Sequence, residues 1–104
     1  MITVIATIEV APSARPQLLE EFARIVPLVR AEPGCLSYVP SVDVETEIPV
    51  QPPLRENVVV VVEQWESVEA LKKHLETPHM REYRERVKDI VKSVVLHAVE
   101  PAVE

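Results

Sequence analysis

The 104-residue chain contains one glycine, one cysteine and one asparagine, Asn57. A single glycine excludes the G-x-G-x-x-G turn of dinucleotide-binding folds and the glycine-rich phosphate loop, which need several positions without a Cβ. A single cysteine, Cys35, excludes an internal disulfide and any C-x-x-C motif, so a reducing cytoplasm is the expected compartment. Cys35 reads as a small buried filler, since no neighbour in sequence activates it. No apolar run approaches the ~20 residues that a membrane-spanning helix needs, and no membrane partner is expected. The opening "MITVIATIEV" lacks the basic region and cleavage site of a signal peptide. H-E-x-x-H is absent, and no carboxylate stands at clear ligand spacing, so no metal is expected. Basic residues are the minority, 11 against 17 acidic, for a net charge of −6. Nucleic acid is therefore not an expected partner, and the one basic cluster, "REYRERVKD", is interleaved with acids like a solvated helix face.

Hydrophobic residues make up 47% and charged residues 27% of the chain, a globular balance at a length that suits one domain, residues 1–104. "ITVIATIEV" alternates: Ile2, Val4, Ala6, Ile8 and Val10 point one way, and Thr3, Ile5, Thr7 and Glu9 the other. "PSARPQLLEEFARIVPLVRAEPG" shifts to helical spacing, with Leu18, Leu19, Phe22, Ile25, Val26 and Val29 on one stripe. Ser13 is the expected N-cap, Pro27 is expected to kink or split this helix, and Gly34 is expected to cap its end in a left-handed conformation. "CLSYVPSV" and "VVVVVEQW" read as strands. Between them, residues 41–57 are rich in proline and charge and read as a long hairpin arm or loop. "SVEALKKHLE" reads as a short helix capped by Ser67, with Val68, Leu71 and Leu75 buried and His74 at the edge of their stripe. "TPHMREYRERVKDIV" reads as a second helical segment with Met80, Tyr83, Val87, Ile90 and Val91 on one side, and "KSVVLHAVE" as a last strand.

The order β-α-β-β-α-β predicts an α+β, ferredoxin-like fold: a four-stranded antiparallel sheet with helices on one face. Helices cover only one face of such a sheet. Val59 and Val61 point to one side of the third strand, and Val58, Val60 and Val62 to the other. Ile5 and Val39 add to the uncovered side. An apolar face of that size predicts a cover, and the simplest is a second copy of the same sheet, giving a homodimer.

His74 and His79 flank Thr77-Pro78, a helix-start signal with threonine as N-cap and proline at the first helical position. His74 then falls in the last turn of one helix and His79 in the first turn of the next, where the macrodipole disfavours a cation. A neutral imidazole there suits a general base. Equally, both histidines fit as boundary residues with satisfied hydrogen bonds. Trp65 reads as a core or rim aromatic, or as a pocket wall. Tyr38 and Tyr83 fit packing or a pocket hydrogen bond, and His97 alternates within the last strand.

"MITVIATIEV", "AEPGCLSYV" and "VVVVEQWESVEALKKHLETPHMREY" together resemble the antibiotic biosynthesis monooxygenase family, the small quinol-monooxygenase-like proteins. The segment E-x-W-x-S-x-E-A-L-x-x-H-L-x-T-P-H is the most specific part. The resemblance implies a dimeric α+β barrel and cofactor-independent oxygenation of a small phenolic or quinol-type aromatic. Trp65, His74 and His79 fall on the family's motif positions. For such a reaction a neutral His74 or His79 is the expected base, Trp65 the stacking wall, and Thr3, Thr7 or Tyr83 the hydrogen-bonding groups for the substrate. Two departures stand out. Residues 41–57 are longer than the usual hairpin, so they are expected to cap the pocket or reach across the dimer. The first strand has Ala6 and Thr7 where haem-degrading relatives use asparagine, which speaks against haem degradation. A non-catalytic dimeric ligand-binding module and a non-oxidative isomerase stand as the other readings of one fold.

Overall fold

The computed structural model describes residues Met1–Glu104. The elements run β1 (Ile2–Val10), α1 (Arg15–Arg30), β2 (Cys35–Ser41), β3 (Val58–Trp65), α2 (Val68–Leu75), α3 (Pro78–Val87) and β4 (Val91–Val99). The strands form one antiparallel sheet in the order β2-β3-β1-β4, the ferredoxin-like arrangement. The second helical region is two helices because Pro78 starts a new one.

Strand alternation decides the two faces. Val4, Ala6 and Ile8 of β1 and Val59, Val61, Glu63 and Trp65 of β3 are buried beneath the helices. Leu18, Phe22, Ile25 and Val29 of α1 meet them with helical spacing, and Leu71 of α2 and Met80, Tyr83 and Val87 of α3 complete the core. The opposite face carries Ile5, Val39, Val60, Val62, Val95 and Val99 and is covered by nothing in the chain; Val62 is 37% exposed and Val95 51%.

Several boundaries differ from the sequence expectation. Ala14, not Ser13, is the N-cap of α1, no side chain caps it, and Ser13 turns into the helix with φ 69°. Pro27 lies inside α1, which continues to Arg30, so the helix is not split. Val68 is exposed, and the buried residues of α2 are Leu71 and His74, placing the histidine in the core rather than at its edge. Helix α3 ends at Val87, and Val91 pairs with Val10 in the sheet, because a β-branched residue beside an open strand edge gains more from the ladder than from the helix. The arm contains neither helix nor strand from Val42 to Asn57. It is stapled by Asp43, which accepts from the Arg55 guanidinium at 2.8 and 2.9 Å and from its backbone N–H at 2.9 Å.

Gly34 is not the cap of α1, whose C-cap is Ala31. It does take the left-handed conformation, φ 85°, in the turn into β2. A Cβ there would stand 2.6 Å from the Ala70 Cβ of α2. Its carbonyl accepts from Glu66 N–H at 2.9 Å, fastening this turn to the end of β3. Gly34→Ala is therefore expected to lose about 2 kcal/mol of stability, from the left-handed strain and the overlap together. Urea unfolding checks this: adding Ala70→Gly should recover the steric part but not all of the loss.

Candidate active site

The close approach at Gly34 has a consequence two residues earlier. Ala70 and His74 lie four apart on α2 and so share one helix face. With Gly34 against Ala70, Glu32 comes to rest against His74. His74 Nδ1 stands 3.1 and 3.0 Å from the two Glu32 oxygens. His79 Nε2 stands 2.6 Å from Glu32 Oε2. A carboxylate offers only acceptors, so each ring nitrogen facing it carries the hydrogen and donates.

The helix break lets both rings reach one carboxylate. Five residues along an unbroken helix would turn His79 about 140° away from His74. Instead Thr77 takes over: its hydroxyl donates to the His74 carbonyl at 2.8 Å and accepts from Met80 N–H at 3.4 Å. Thr77 and Ser67 are the N-caps that the sequence indicates, Ser67 accepting from Ala70 N–H at 3.1 Å.

Once Nδ1 is held by Glu32, Nε2 of His74 has no protein partner. The residue is only 2% exposed and lines a cleft, so the ring edge that Glu32 does not hold is the one left for a ligand. The cleft, about 130 Å³, lies between α3 and the β1–β4 side of the sheet, with Phe22, Val61, Met80 and Leu96 among its apolar walls. Burial pushes the His74 pKa down, against the pull of Glu32. The neutral ring thus persists to lower pH than usual, with Nε2 bare.

Glu63 is the second polar group of the cleft and is 4% exposed. Its Oε1 accepts from Trp65 Nε1–H at 2.9 Å, and its other oxygen has no protein partner. Burial raises its pKa to about 7, the indole hydrogen bond opposing and the nearby Glu32 charge adding. Burial likewise raises the pKa values of Tyr38 and Tyr83, which also line the cleft, so both phenols stay protonated near neutrality.

The residues singled out from sequence divide accordingly. His74 and Tyr83 line the cleft. Trp65 is 0% exposed and does not; its indole packs on the His74 ring at 4.6 Å between centroids and holds Glu63. His79 faces Glu32 rather than the cleft. Thr3 and Thr7 fall on the open face of the sheet, opposite the helices, because they alternate with Val4, Ala6 and Ile8. His97, opposite Ile5, is on that open face too. No arm residue lines the cleft. Glu32 and Glu63 had not been singled out. The signal for Glu63 was its parity: it follows Val59 and Val61 on the inward face. Glu32 gave no signal, since its contacts lie 42 and 47 residues away in sequence. No group of three or more His, Cys, Asp or Glu side chains is arranged to hold a metal ion.

Comparison with known proteins agrees with the fold. The family model described as antibiotic biosynthesis monooxygenase matches residues 1–86. The chain is similar to the Escherichia coli K12 protein named "Probable quinol monooxygenase YgiN", at 40% identity over 99% of this chain and all of that one. It also resembles the solved structures of PA3566 from Pseudomonas aeruginosa (TM-score 0.81, 26% identity, 98% of this chain and 94% of that one) and Rv0793 from Mycobacterium tuberculosis (TM-score 0.76, 28% identity, 99% and 96%).

The two cleft groups oppose each other in pH. Glu63 has a folded pKa above its unfolded one, so its penalty is absent below the unfolded value and grows as pH rises to about 7. His74 has a depressed folded pKa, so acidification through the unfolded value near about 6.5 destabilises the fold. Glu63→Gln removes only the first effect. Relative to the unmodified protein, it is expected to gain stability between pH 5 and pH 8 by about 3 kcal/mol. Paired urea titrations at the two pH values check this.

Proposed function

The chain belongs to the antibiotic biosynthesis monooxygenase family, and from that premise we propose that it is a cofactor-independent monooxygenase oxidising a small phenolic or quinol-type aromatic with O₂. The observation that carries the reading is His74, which lines an apolar cleft with its Nδ1 held by Glu32 and its Nε2 unpartnered. An engineered apolar cavity of about 150 Å³ accommodates benzene, so a cleft near that size suits one small aromatic ring. The quinol-type substrate is supported by the name of the Escherichia coli relative.

In this reaction the chain binds the ring, removes a proton and excludes water. A quinol deprotonated by His74 is electron-rich enough to reduce O₂ itself. Glu32 is a positioning group: it fixes the imidazole tautomer that leaves Nε2 as the acceptor. His79 acts through Glu32, holding the carboxylate from the other side. Tyr83 supplies a hydroxyl in the cleft. Thr3 and Thr7, on the open face, have no part in this cleft within one chain. Oxygen uptake by metal-free protein with a panel of quinols tests the reading. The unmodified protein should exceed His74→Ala by about a hundredfold or more. His79→Ala should lose less, and rates equal to the His74→Ala background would contradict the proposal.

The active unit we propose is a homodimer, with the open sheet face of one copy against that of the other. The support is the set of apolar side chains Ile5, Val39, Val60, Val62, Val95 and Val99 on a sheet face that no helix covers. Two substitutions one residue apart separate interface from core. Val60→Glu puts a charge on the open face, and Val61→Glu puts one beneath the helices, where burying an unpaired ion costs several kcal/mol, roughly 3–5. Light scattering should give a dimer for the unmodified protein. Val60→Glu should yield weakened association and concentration-dependent unfolding, and Val61→Glu a failure to fold. A monomer at micromolar concentration would contradict the two-sheet arrangement.

A further inference from the structure

Glu63 is a buried carboxylic acid that the reaction described above leaves unused. It lies on β3 at a position where its neighbours on the same face, Val61 and Trp65, are fully apolar or packed away. A carboxyl group in that place is expensive to keep, and packing alone would be better served by a hydrophobic residue. One oxygen is fixed by the Trp65 indole, and the other is without a protein partner in the cleft that His74 also lines. That is the geometry of a group aimed at a ligand.

Resting on the monooxygenase reading, we infer that Glu63 is the catalytic acid that cleaves the oxygen–oxygen bond, while His74 is the base. The need for two groups follows from the chemistry. His74 Nε2 takes a hydroxyl proton from the quinol. The ring anion reduces O₂ and bonds to it at a ring carbon, and the His74 proton passes to the resulting peroxide. The ring carbon now bears a hydrogen and a hydroperoxide. His74 Nε2 takes the carbon-bound hydrogen as a proton, and its electron pair becomes the new C=O bond as the O–O bond breaks. The departing hydroxide takes the Glu63 proton and leaves as water. One oxygen atom stays in the oxidised ring and one becomes water. The proton on His74 then returns to Glu63, which restores both groups.

The carboxyl group suits this step because both its forms coexist near pH 7. The charged and titratable groups around it are consistent with an acid. Glu32, behind His74, disfavours its ionisation. Tyr38 on β2 stands opposite it in the sheet and stays protonated. Cys35, also on β2, has a pKa raised by burial. From α2 and α3 come His74, Tyr83 and Arg84, and the facing strands β1 and β4 present only apolar side chains.

Without the acid, the hydroperoxide breaks at its carbon–oxygen bond instead. Hydrogen peroxide leaves, and the quinone forms with no inserted oxygen. The test is Glu63→Gln, which keeps the acceptor for Trp65 but has no proton to give. Oxygen uptake, peroxide and hydroxylated product are measured together across pH 5 to 9 with a quinol that the unmodified protein consumes. Expected for Glu63→Gln is continued oxygen uptake, peroxide as the main reduced product, and hydroxylated product per O₂ down about a hundredfold. The unmodified protein should lose hydroxylation as pH rises through about 7, a limb the variant lacks. Glu63→Asp, which retains an acid, should recover part of the yield. Trp65→Phe removes the N–H that favours the ionised form, so it should move the limb to higher pH. Uptake and product falling in step without peroxide, or a limb unmoved in Trp65→Phe, would give Glu63 a packing role and overturn the inference. No quinol-dependent uptake by the unmodified protein would instead overturn the monooxygenase reading on which it rests.

Discussion

Glu32 is where three elements of the chain meet. It stands between the end of α1 and the start of β2, and its carboxylate accepts from His74 on α2 and His79 on α3. A buried carboxylate needs such partners, because in a low-dielectric interior an unpaired one carries a large desolvation penalty. The same contact orders the histidines. It draws two helix ends together across the Thr77-Pro78 break and decides which nitrogen of His74 is left free. The glycine turn that brings Glu32 into place is thus as much part of the site as the histidines themselves.

The two buried carboxyl groups of the site have opposite surroundings. Glu32 is flanked by two nitrogen donors. Glu63 has one indole N–H and an otherwise apolar pocket, so burial dominates and its pKa rises. The contrast is the kind by which a single fold holds one carboxyl group as a hydrogen-bond acceptor for two rings and another with its pKa raised to about 7. It has a consequence for stability. The sheet and its single layer of helices bury sixteen apolar side chains in one cluster, and the polar site is set against that cluster. Glu63, with its raised pKa, weakens the fold as pH rises toward neutrality.

Much of the architecture was legible because it depends on local periodicity. The alternation of "ITVIATIEV" and the valine run of β3 gave both strands to the residue, and the alternation also separated the two faces of the sheet. Thr77-Pro78 marked a true helix start for a local reason, the geometry of an N-cap. What failed was competition between local and distant partners. Ile90 and Val91 fit a helical stripe, but an open strand edge at Val10 claims Val91. Ser13 has the chemistry of a cap, but the chain enters α1 through a left-handed turn at that residue instead. Of the site residues expected from sequence, His74 and Tyr83 line the cleft, whereas Thr3 and Thr7 lie on the opposite face of their own strand. Glu63 was readable from parity alone. Glu32 was not, since nothing local to residue 32 says that residues 74 and 79 will fold back upon it.

Glu32 holds His74 protonated at Nδ1 and leaves Nε2 bare. Nitrogen-15 NMR of the imidazole rings reads this directly, because a protonated and a bare ring nitrogen differ widely in chemical shift. In weakly alkaline solution His74 is expected to show a pyrrole-like Nδ1 and a pyridine-like Nε2, and Glu32→Gln is expected to turn this single tautomer into a mixture. A His74 ring protonated at Nε2, or one indifferent to Glu32→Gln, would contradict it.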